Sequence, residues 1–267
     1  MSILSTSQVT LKYGGKAPVI RELSLSIEQG KVYSIIGPNG CGKSTLLKAL
    51  SKQMKVPEGQ VFYQEQNMKQ MKPKQVAQKL SYLAQSNEPA DLTVRELVAY
   101  GRSPHQSLLS NRKEEDERII DWALKAASLK HLEHRNIEGL SGGERQRAWI
   151  AMSLAQKTDV LLLDEPTTYL DIHHQMEILE LTRQLNRELS MTVLLVLHDI
   201  NQACQFSDEL IVMREGQIYA RGVPEQIMNA GLLKEVFGVT AAVQRDEQTG
   251  RPYCRIIGRD RTADSTP

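Results

Sequence analysis

The stretch that decides the fold is Gly37-Pro38-Asn39-Gly40-Cys41-Gly42-Lys43-Ser44, which fits the pattern G-x-x-x-x-G-K-[ST] at every defined position. The glycines let successive backbone N–H groups turn inward and form a cradle for an anion. Residues 32–36 before it are apolar and predict a buried strand, and the leucines after Lys43 predict a helix. The positive N-terminal end of that helix would face the same anion. The stretch therefore predicts a phosphate-binding loop between a strand and a helix.

The polar side chains at the end of this loop predict what it binds. Lys43 supplies a point charge for β- and γ-phosphates, and the hydroxyl of Ser44 can ligate Mg²⁺. Thr45 follows and could donate to an α-phosphate. A glycine-rich turn without any ligand is the alternative, and the strand before the loop and the helix after it both argue against that alternative. The residues alone predict a nucleoside triphosphate as ligand.

Two further strands end in side chains that suit phosphate chemistry. Residues 160–163 are apolar and predict a buried strand, so Asp164 would emerge at its carboxyl end, where ligands bind in open α/β sheets. A carboxylate there can hold Mg²⁺, and the neighbouring Glu165 can orient the attacking water. His198 ends another predicted strand, residues 192–197, at the same edge, which favours a contact with the γ-phosphate. In isolation the acidic pair could be an ordinary surface turn.

A second glycine-rich helix start lies at Leu140-Ser141-Gly142-Gly143-Glu144. Small residues and free N–H groups at a helix N-terminus favour an anion. The alternative is an ordinary capping box, in which Ser141 caps the helix and Glu144 returns a hydrogen bond. That alternative accounts for the serine and the glutamate but does not require two consecutive glycines.

The order of predicted elements indicates the domain organisation. Strands alternate with helices, which predicts an α/β fold with a parallel sheet. We expect a nucleotide-binding core made of residues 1–86 and 158–240, which includes a small antiparallel part near the N-terminus. Residues 87–157 are predicted to be a helical insertion into this core. Residues 241–267 are predicted to form a short hairpin and a tail, of which 259–267 should be disordered.

Composition excludes a strongly basic nucleic-acid binder. The 267 residues include 33 Lys and Arg against 32 Asp and Glu, so there is no bulk charge to attract nucleic acid or an anionic bilayer. We therefore expect no nucleic-acid partner. No apolar run approaches the roughly 20 residues of a membrane-spanning helix. Three scattered cysteines indicate neither a disulfide scaffold nor a metal site.

Taken in order along the chain, these motifs resemble the motif series of the ATP-binding-cassette (ABC) ATPase family, with Gln85 and Leu170-Asp171 completing it. The resemblance covers essentially the whole chain. It implies a P-loop NTPase core with an N-terminal antiparallel β-subdomain and an inserted helical subdomain, and ATP and Mg²⁺ as cofactors. It implies that Tyr13 stacks on adenine, and that Gln85 senses Mg²⁺ and the water. It also implies that Ser141 and Gly143, with Gly142 between them, grip the γ-phosphate of ATP held by another subunit.

The resemblance also implies partners. One phosphate loop and one signature helix per chain pair head-to-tail in a homodimer, with Asp171 in the loop that couples the two sites. The family's importers place this dimer on integral-membrane permease subunits, at the cytoplasmic face of the cell membrane, and a substrate-binding protein participates indirectly. Two residues depart from the common pattern. Glu144 stands where many relatives carry Gln, and Tyr169 stands where Ala is common.

Residues 93–105 resemble the importer ATPases for ferric siderophores, and haem and cobalamin importer ATPases are close alternatives. A soluble ABC protein outside transport would usually carry a long coiled coil or two cassettes, and this chain has neither. The segment 86–105 is polar and rich in turn residues, so we expect it to be a loop that meets the permease. Its charged side chains, such as Arg102, are expected to be exposed.

Overall fold

The structure, a computed structural model, describes residues 1–14, 17–85, 91–106 and 113–260. The chain forms two compact units. The first is built from Met1–Lys69 and Leu194–Pro267, and the second from Gln70–Val193. The chain therefore begins in the first unit, completes the second and then returns. The chain passes from one unit to the other after Lys69 and after Val193, and not at residues 87 and 157. The helical insertion at residues 87–157 stays a prediction.

A four-stranded antiparallel sheet opens the first unit, as expected for the N-terminal β-subdomain. Its strands are β1 (Ser2–Leu11), β2 (Ile20–Glu28), β4 (Glu58–Tyr63) and β5 (Gln66–Asn67), in the order β2-β1-β4-β5. Strand β2 alternates, because Leu23, Leu25 and Ile27 are buried while their neighbours are exposed. Strand β1 ends at Leu11, so Tyr13 lies beyond it.

A mixed sheet forms the rest of the first unit around the strand that precedes the phosphate loop. Strand β3 (Val32–Ile36) is buried at all five positions and runs parallel to β9 (Glu209–Arg214), which pairs antiparallel with β10 (Gln217–Gly222). A strand buried on both faces needs a continuous apolar run, and β3 has one. Helix α1 (Lys43–Leu50) follows the loop and buries its three leucines, as predicted. Helix α7 (Ile200–Phe206) packs near β3.

The first unit ends with two short helices and a β-hairpin. The helices are α8 (Pro224–Ile227) and α9 (Ala230–Phe237), and the hairpin strands are β11 (Val239–Arg245) and β12 (Pro252–Arg259). Asp246 fixes the turn, because its Oδ1 accepts from the backbone N–H of Thr249 at 2.8 Å. The expected disorder from Arg259 onward is wrong at its start, since Arg259 pairs with Val239 in the hairpin. Residues 261–267 lie outside the described part of the chain.

The second unit contains the strand that carries the acidic pair. Helix α2 (Pro73–Ala77) leads into β6 (Leu80–Leu83), which runs parallel to β7 (Val160–Asp164). All five residues of β7 are buried, which explains its unbroken apolar sequence. Strand β8 (Thr192–Val196) begins in the second unit and ends in the first.

Helices make up most of the second unit. They are α3 (Val94–Tyr100), α4 (Lys113–Ala126), α5 (Gly142–Ala155) and α6 (Ile172–Leu189). Helices α3 and α5 approach closely at Gly101, where a Cβ would lie 2.1 Å from the carbonyl oxygen of Met152. Helix α6 buries Ile178 and Leu185, whereas Leu189 is 40% exposed because it stands at the helix end. Within the described ranges no helix is both long and apolar enough to cross a membrane.

The expectation of a polar loop at residues 86–105 is wrong over its described part. Thr93 begins α3 with a capping box, accepting from the backbone N–H of Glu96 while Glu96 accepts from that of Thr93. Arg102 is not exposed: only 2% of it is accessible. Its Nε donates to Asp116 at 2.7 Å and its Nη1 to the carbonyl of Ala155 at 2.8 Å. Arg102 therefore fastens α3 to α4 and to the last turn of α5.

Candidate active site

The phosphate loop in the first unit has a backbone that only glycine suits at its first position. Gly37 has φ 153°, and a Cβ there would lie 2.2 Å from the carbonyl oxygen of Met213 in β9. Gly42 has φ 105° and immediately precedes α1. Since a side chain at residue 37 would collide with backbone, the loop's path depends on β9 as well as on its own sequence. A cradle that a Cβ would fill fits the predicted phosphate group.

Lys43 lies inside this loop. Its side-chain amine donates to the carbonyl oxygens of Gly37 at 2.8 Å and Pro38 at 3.0 Å, and only 5% of the residue is exposed. The cation is therefore held where an anion in the cradle would meet it, and two of its three N–H donors already bond to the loop carbonyls. Asn39 and Gly40 form the outer part of the loop. Burial raises the pKa of the Cys41 thiol, which keeps that side chain neutral at physiological pH.

Three other predicted residues belong to the first unit. Ser44 and Thr45 stand in the first turn of α1. The hydroxyl of Tyr13 lies 3.3 Å from Oγ1 of Thr45, and its ring is partly exposed, so the structure brings Tyr13 to the helix that follows the loop. The backbone N–H of Leu197 donates to the carbonyl of Ile35 at 3.3 Å. His198 therefore stands exposed beside the end of β3, where the loop begins.

The acidic pair in the second unit is held by neighbouring polar groups. Asp164 ends β7, is 3% exposed, and accepts from the hydroxyl of Tyr82 at 3.1 Å. Glu165 directly follows the strand and has φ 52°, a left-handed backbone that is uncommon for residues other than glycine. Its Oε2 accepts from Nε2 of Gln85 at 2.5 Å and from the hydroxyl of Thr168 at 3.1 Å. The structure thus brings Gln85 and Glu165 together, and the role of Gln85 toward Mg²⁺ and the water stays a prediction.

The predicted signature residues begin α5 in the same unit. Ser141 caps the helix, since its hydroxyl accepts from the backbone N–H of Glu144 at 3.3 Å. The carboxylate of Glu144 accepts from the backbone N–H of Ser141 at 2.8 Å, and this bond lowers the pKa of Glu144. The capping box expected as the ordinary explanation is therefore present. Gly142 and Gly143 occupy the first turn, where a Cβ at 143 would meet the ring of His174.

Asp171 caps the next helix, α6. Its Oδ1 accepts from the backbone N–H of His174 at 2.9 Å and lies 2.8 Å from Nδ1 of the same residue. The backbone bond from His174, followed by the side-chain bond, lowers the pKa of the Asp171 carboxyl. Tyr169, one of the departures from the common pattern, has φ 66° and is 94% exposed.

The predicted Mg²⁺ ligands have suitable chemistry in each unit. Ser44 in the first unit offers a hydroxyl, and Gln85 and Asp164 in the second offer an amide carbonyl and a carboxylate, all oxygen groups that this ion takes as ligands. Among the described residues there is no group of three or more His, Cys, Asp and Glu side chains able to hold a metal. Mg²⁺ ordinarily relies on one or two carboxylates together with nucleotide phosphates and water, so a full protein cage is not required.

Comparison with known proteins identifies the family of this chain. The profile of the family described as ABC transporter matches residues 20–168. The chain is 46% identical to the iron(3+)-hydroxamate import ATP-binding protein of Bacillus subtilis, over 95% of this chain and 94% of that protein. It is also 46% identical to the ferric enterobactin transport ATP-binding protein of Escherichia coli, over 98% and 96%. The chain belongs to the ABC transporter family.

Solved structures of ABC proteins share the fold. A metal-chelate type ABC transporter in an inward-facing conformation aligns with a TM-score of 0.81 and 25% identity, over 96% of this chain and 97% of that one. A dimeric ATP-binding cassette with ADP and phosphate bound, in a post-hydrolysis state, aligns with a TM-score of 0.72 and 29% identity, over 82% and 98%. The predicted ABC ATPase fold is therefore confirmed, and the chain is an ATP-binding ATPase of this family.

The sequence analysis missed three residues that contact the predicted site residues. Tyr82 and Thr168 hold the two carboxylates, and His174 packs on the signature helix. A signal for Tyr82 existed, because it stands in the strand that leads to Gln85. For His174 the signal was its place three residues after the capping Asp171, where a helix presents its first turn to the cap.

Proposed function

We propose that this chain is the ATP-hydrolysing subunit of an importer for iron chelates of the ferric siderophore class. The observation that carries the catalytic part is the hydrogen bond from Gln85 to the carboxylate of Glu165. It holds a potential water-orienting group directly after the buried Asp164. The identity of nearly half over almost the full chain to two siderophore-transport subunits supports the choice of cargo.

The residues of the first unit would hold the nucleotide. The loop amides and the amine of Lys43 bind the phosphates, and the ring of Tyr13 stacks on the base. His198, which follows β8 and stands beside the end of β3, contacts the γ-phosphate. Ser44 binds Mg²⁺, which when present neutralises phosphate charge.

The residues of the second unit would act on the attacking water. Gln85 and Asp164 contribute oxygen ligands for Mg²⁺, directly or through water. Glu165 accepts a hydrogen bond from the water and orients it toward the γ-phosphate, and Gln85 and Thr168 keep its carboxylate in place. The buried hydroxyl contact from Tyr82 holds Asp164 in one orientation.

The signature residues would complete the site of a second copy. Ser141, Gly142 and Gly143 stand at a helix N-terminus that favours an anion, and in a head-to-tail homodimer they would contact the γ-phosphate bound by the partner. The dimer would sit peripherally at the cytoplasmic face of the membrane on permease subunits, with a substrate-binding protein delivering cargo to the permease. Residues 87–157 would form the helical subdomain nearest that permease.

The test is ATP-driven uptake of candidate cargo by the assembled transporter. The chain is purified with its co-expressed membrane subunits in proteoliposomes, and uptake driven by ATP is measured for ferric hydroxamates, ferric catecholates, haem and cobalamin. Uptake of a ferric siderophore, abolished by Glu165→Gln, is the expected result. Uptake of haem or cobalamin without uptake of any ferric siderophore would show that the proposed cargo is wrong. A chain that hydrolyses ATP but associates with no membrane subunit would overturn the transport role.

A further inference from the structure

Gly143 lies against the imidazole ring of His174 in the same chain. A Cβ at residue 143 would lie 2.0 Å from Cδ2, 2.5 Å from Cγ and 2.9 Å from Nε2 of that ring, all closer than real Cβ contacts come. At the neighbouring Gly142 the nearest atom, on Leu170, would be 3.4 Å away. One of the two signature glycines is therefore required by a side chain of its own subunit, whatever its role toward a nucleotide.

The ring of His174 cannot easily move out of this position. Its Nδ1 lies 2.8 Å from Oδ1 of Asp171, and the same oxygen accepts from the backbone N–H of His174. The clash at Cγ is one bond from the Cβ of His174, so rotating the ring about χ2 leaves it in place. His174 would have to leave its χ1 rotamer and its bond to Asp171 to make room.

Asp171 and His174 also stand at the end of the loop that follows Glu165. The hydroxyl of Thr168 donates to Glu165 at 3.1 Å, and Nε2 of Gln175 donates to the carbonyl of Leu170 at 2.9 Å. These bonds tie the loop to Glu165 at one end and to the first turns of α6 at the other. A displacement at the start of α6 would therefore reach both Glu165 and the start of α5.

We infer that His174 is a positioning residue that sets the first turn of α5 against the loop after Glu165. Through it, the water-orienting carboxylate of one site and the phosphate-binding amides offered to the other site are held in one geometry within each subunit. The inference rests on the proposed function, because it takes the roles of Glu165 and Gly143 from there. It adds a reason for glycine at residue 143. Alanine would keep the backbone N–H that a phosphate could bind, so glycine is needed there because its missing side chain makes room for His174.

The experiment is a double-mutant cycle on the assembled transporter. Gly143→Ala should lower kcat about 100-fold, the cost of misplacing a reacting group by about 1 Å, with the Kd for ATP changed less than about threefold. His174→Ala should lower kcat about tenfold by removing the support. In the His174→Ala background, adding Gly143→Ala should change kcat less than about threefold, because the clash is gone.

Two controls separate relief of this clash from general loosening. His173 is adjacent to His174, its side chain is 80% exposed, and none of the three atoms nearest to a Cβ at residue 143 belongs to it. Adding His173→Ala to Gly143→Ala should leave kcat as low as in Gly143→Ala alone. His174→Asn keeps a branch at Cγ and should relieve the clash far less than His174→Ala.

Unfolding by urea supplies a readout that does not depend on hydrolysis. Gly143→Ala should lower the unfolding midpoint when His174 is present and leave it unchanged in the His174→Ala background. If the wild-type protein hydrolysed no ATP, the proposed function would fail, and this measurement would still decide whether His174 excludes a side chain at residue 143. The inference is overturned if Gly143→Ala lowers kcat equally in both backgrounds, or if only the unfolding midpoint responds to the cycle.

Discussion

Two glycine-rich helix starts, residues 37–44 in the first unit and residues 141–144 in the second, are built differently. At Gly37 the neighbouring atom that forbids a side chain is a backbone oxygen of β9, whereas at Gly143 it is the ring of His174. The first start encloses the cation of Lys43. The second carries an anion, Glu144, whose carboxylate already holds the N–H of Ser141.

This difference in charge indicates a division of roles. A buried ammonium in a cradle of amides can bind phosphate by itself, so nucleotide affinity should reside in residues 37–44. Residues 141–144 contain a glutamate and no lysine or arginine, and the guanidinium of Arg145 donates to the carbonyl of Leu140. These residues should therefore bind phosphate only as one side of a site completed by another copy. The following substitutions sharpen this comparison.

Glu165→Gln should have the largest effect and should leave both helix starts intact. Loss of a positioned acid–base group costs on the order of 10²–10⁴-fold in kcat, while ATP affinity should remain unchanged because neither phosphate-binding region is altered. Steady-state hydrolysis and a nucleotide titration measure the two quantities. Glu180→Gln, on the exposed face of α6, is the matched control. Hydrolysis within a factor of two of wild type would refute the assignment of Glu165.

Arg102→Glu should act on the second unit through its folding. Reversing a buried charge that pairs with Asp116 and caps the end of α5 should lower the free energy of unfolding by about 3–5 kcal/mol. Hydrolysis and transport should then fall in parallel. The exposed Arg118→Glu is the control and should change stability little. Loss of transport with unchanged stability would instead indicate a docking surface at Arg102.

Lys43→Ala tests whether affinity resides in the first helix start. Removing a cation that makes charge-assisted hydrogen bonds should weaken ATP binding about 10–100-fold. Lys48→Ala, on the exposed side of the same helix, should have no such effect. Isothermal titration of ATP into the two variants gives the comparison. An unchanged Kd in Lys43→Ala would show that the loop amides suffice, and the division of roles would need another basis.

Glu144→Gln should have the smallest effect. Hydrolysis at neutral pH should stay within about a factor of two, since glutamine can accept the same bond from Ser141. The hydrogen bond from the backbone N–H of Ser141 lowers the pKa of Glu144 from its ordinary value in the folded protein. Its stabilising contribution is therefore present above the ordinary pKa of an unfolded glutamate and is lost as the pH falls through the lowered pKa. Unfolding midpoints from neutral to acid pH should fall more steeply in wild type than in Glu144→Gln, and parallel curves would contradict this.

Much of the fold was predictable because buried strands have a continuous apolar sequence. Strands β3 and β7 and the ends of their runs, Gly37 and Asp164, follow directly from the residues. Arg102 was mispredicted, because a long charged side chain in a turn-rich segment is usually exposed, and its partner Asp116 is 14 positions away on another helix. Local patterns carry no information about such a contact.

The sequence predicted which residues belong to the candidate site but not which of them contact each other. The bond between Gln85 and Glu165 joins positions 80 residues apart, and the sequence predicts both residues through the family pattern. The packing of His174 on Gly143 was not predictable, because helical spacing and caps describe each helix by itself. Which side chain of α6 meets the start of α5 depends on how the two helices pack.

The central claim is that each subunit binds ATP through residues 37–44 and uses residues 141–144 only toward a second copy. The most direct measurement is ATP-dependent dimerisation of Glu165→Gln, followed by light scattering during size exclusion, with and without Ser141→Arg. We predict that Glu165→Gln dimerises with ATP, and that adding Ser141→Arg leaves the Kd for ATP unchanged while the protein stays monomeric. If the double variant still dimerised with ATP, or if it lost ATP affinity together with dimerisation, the claim would be wrong.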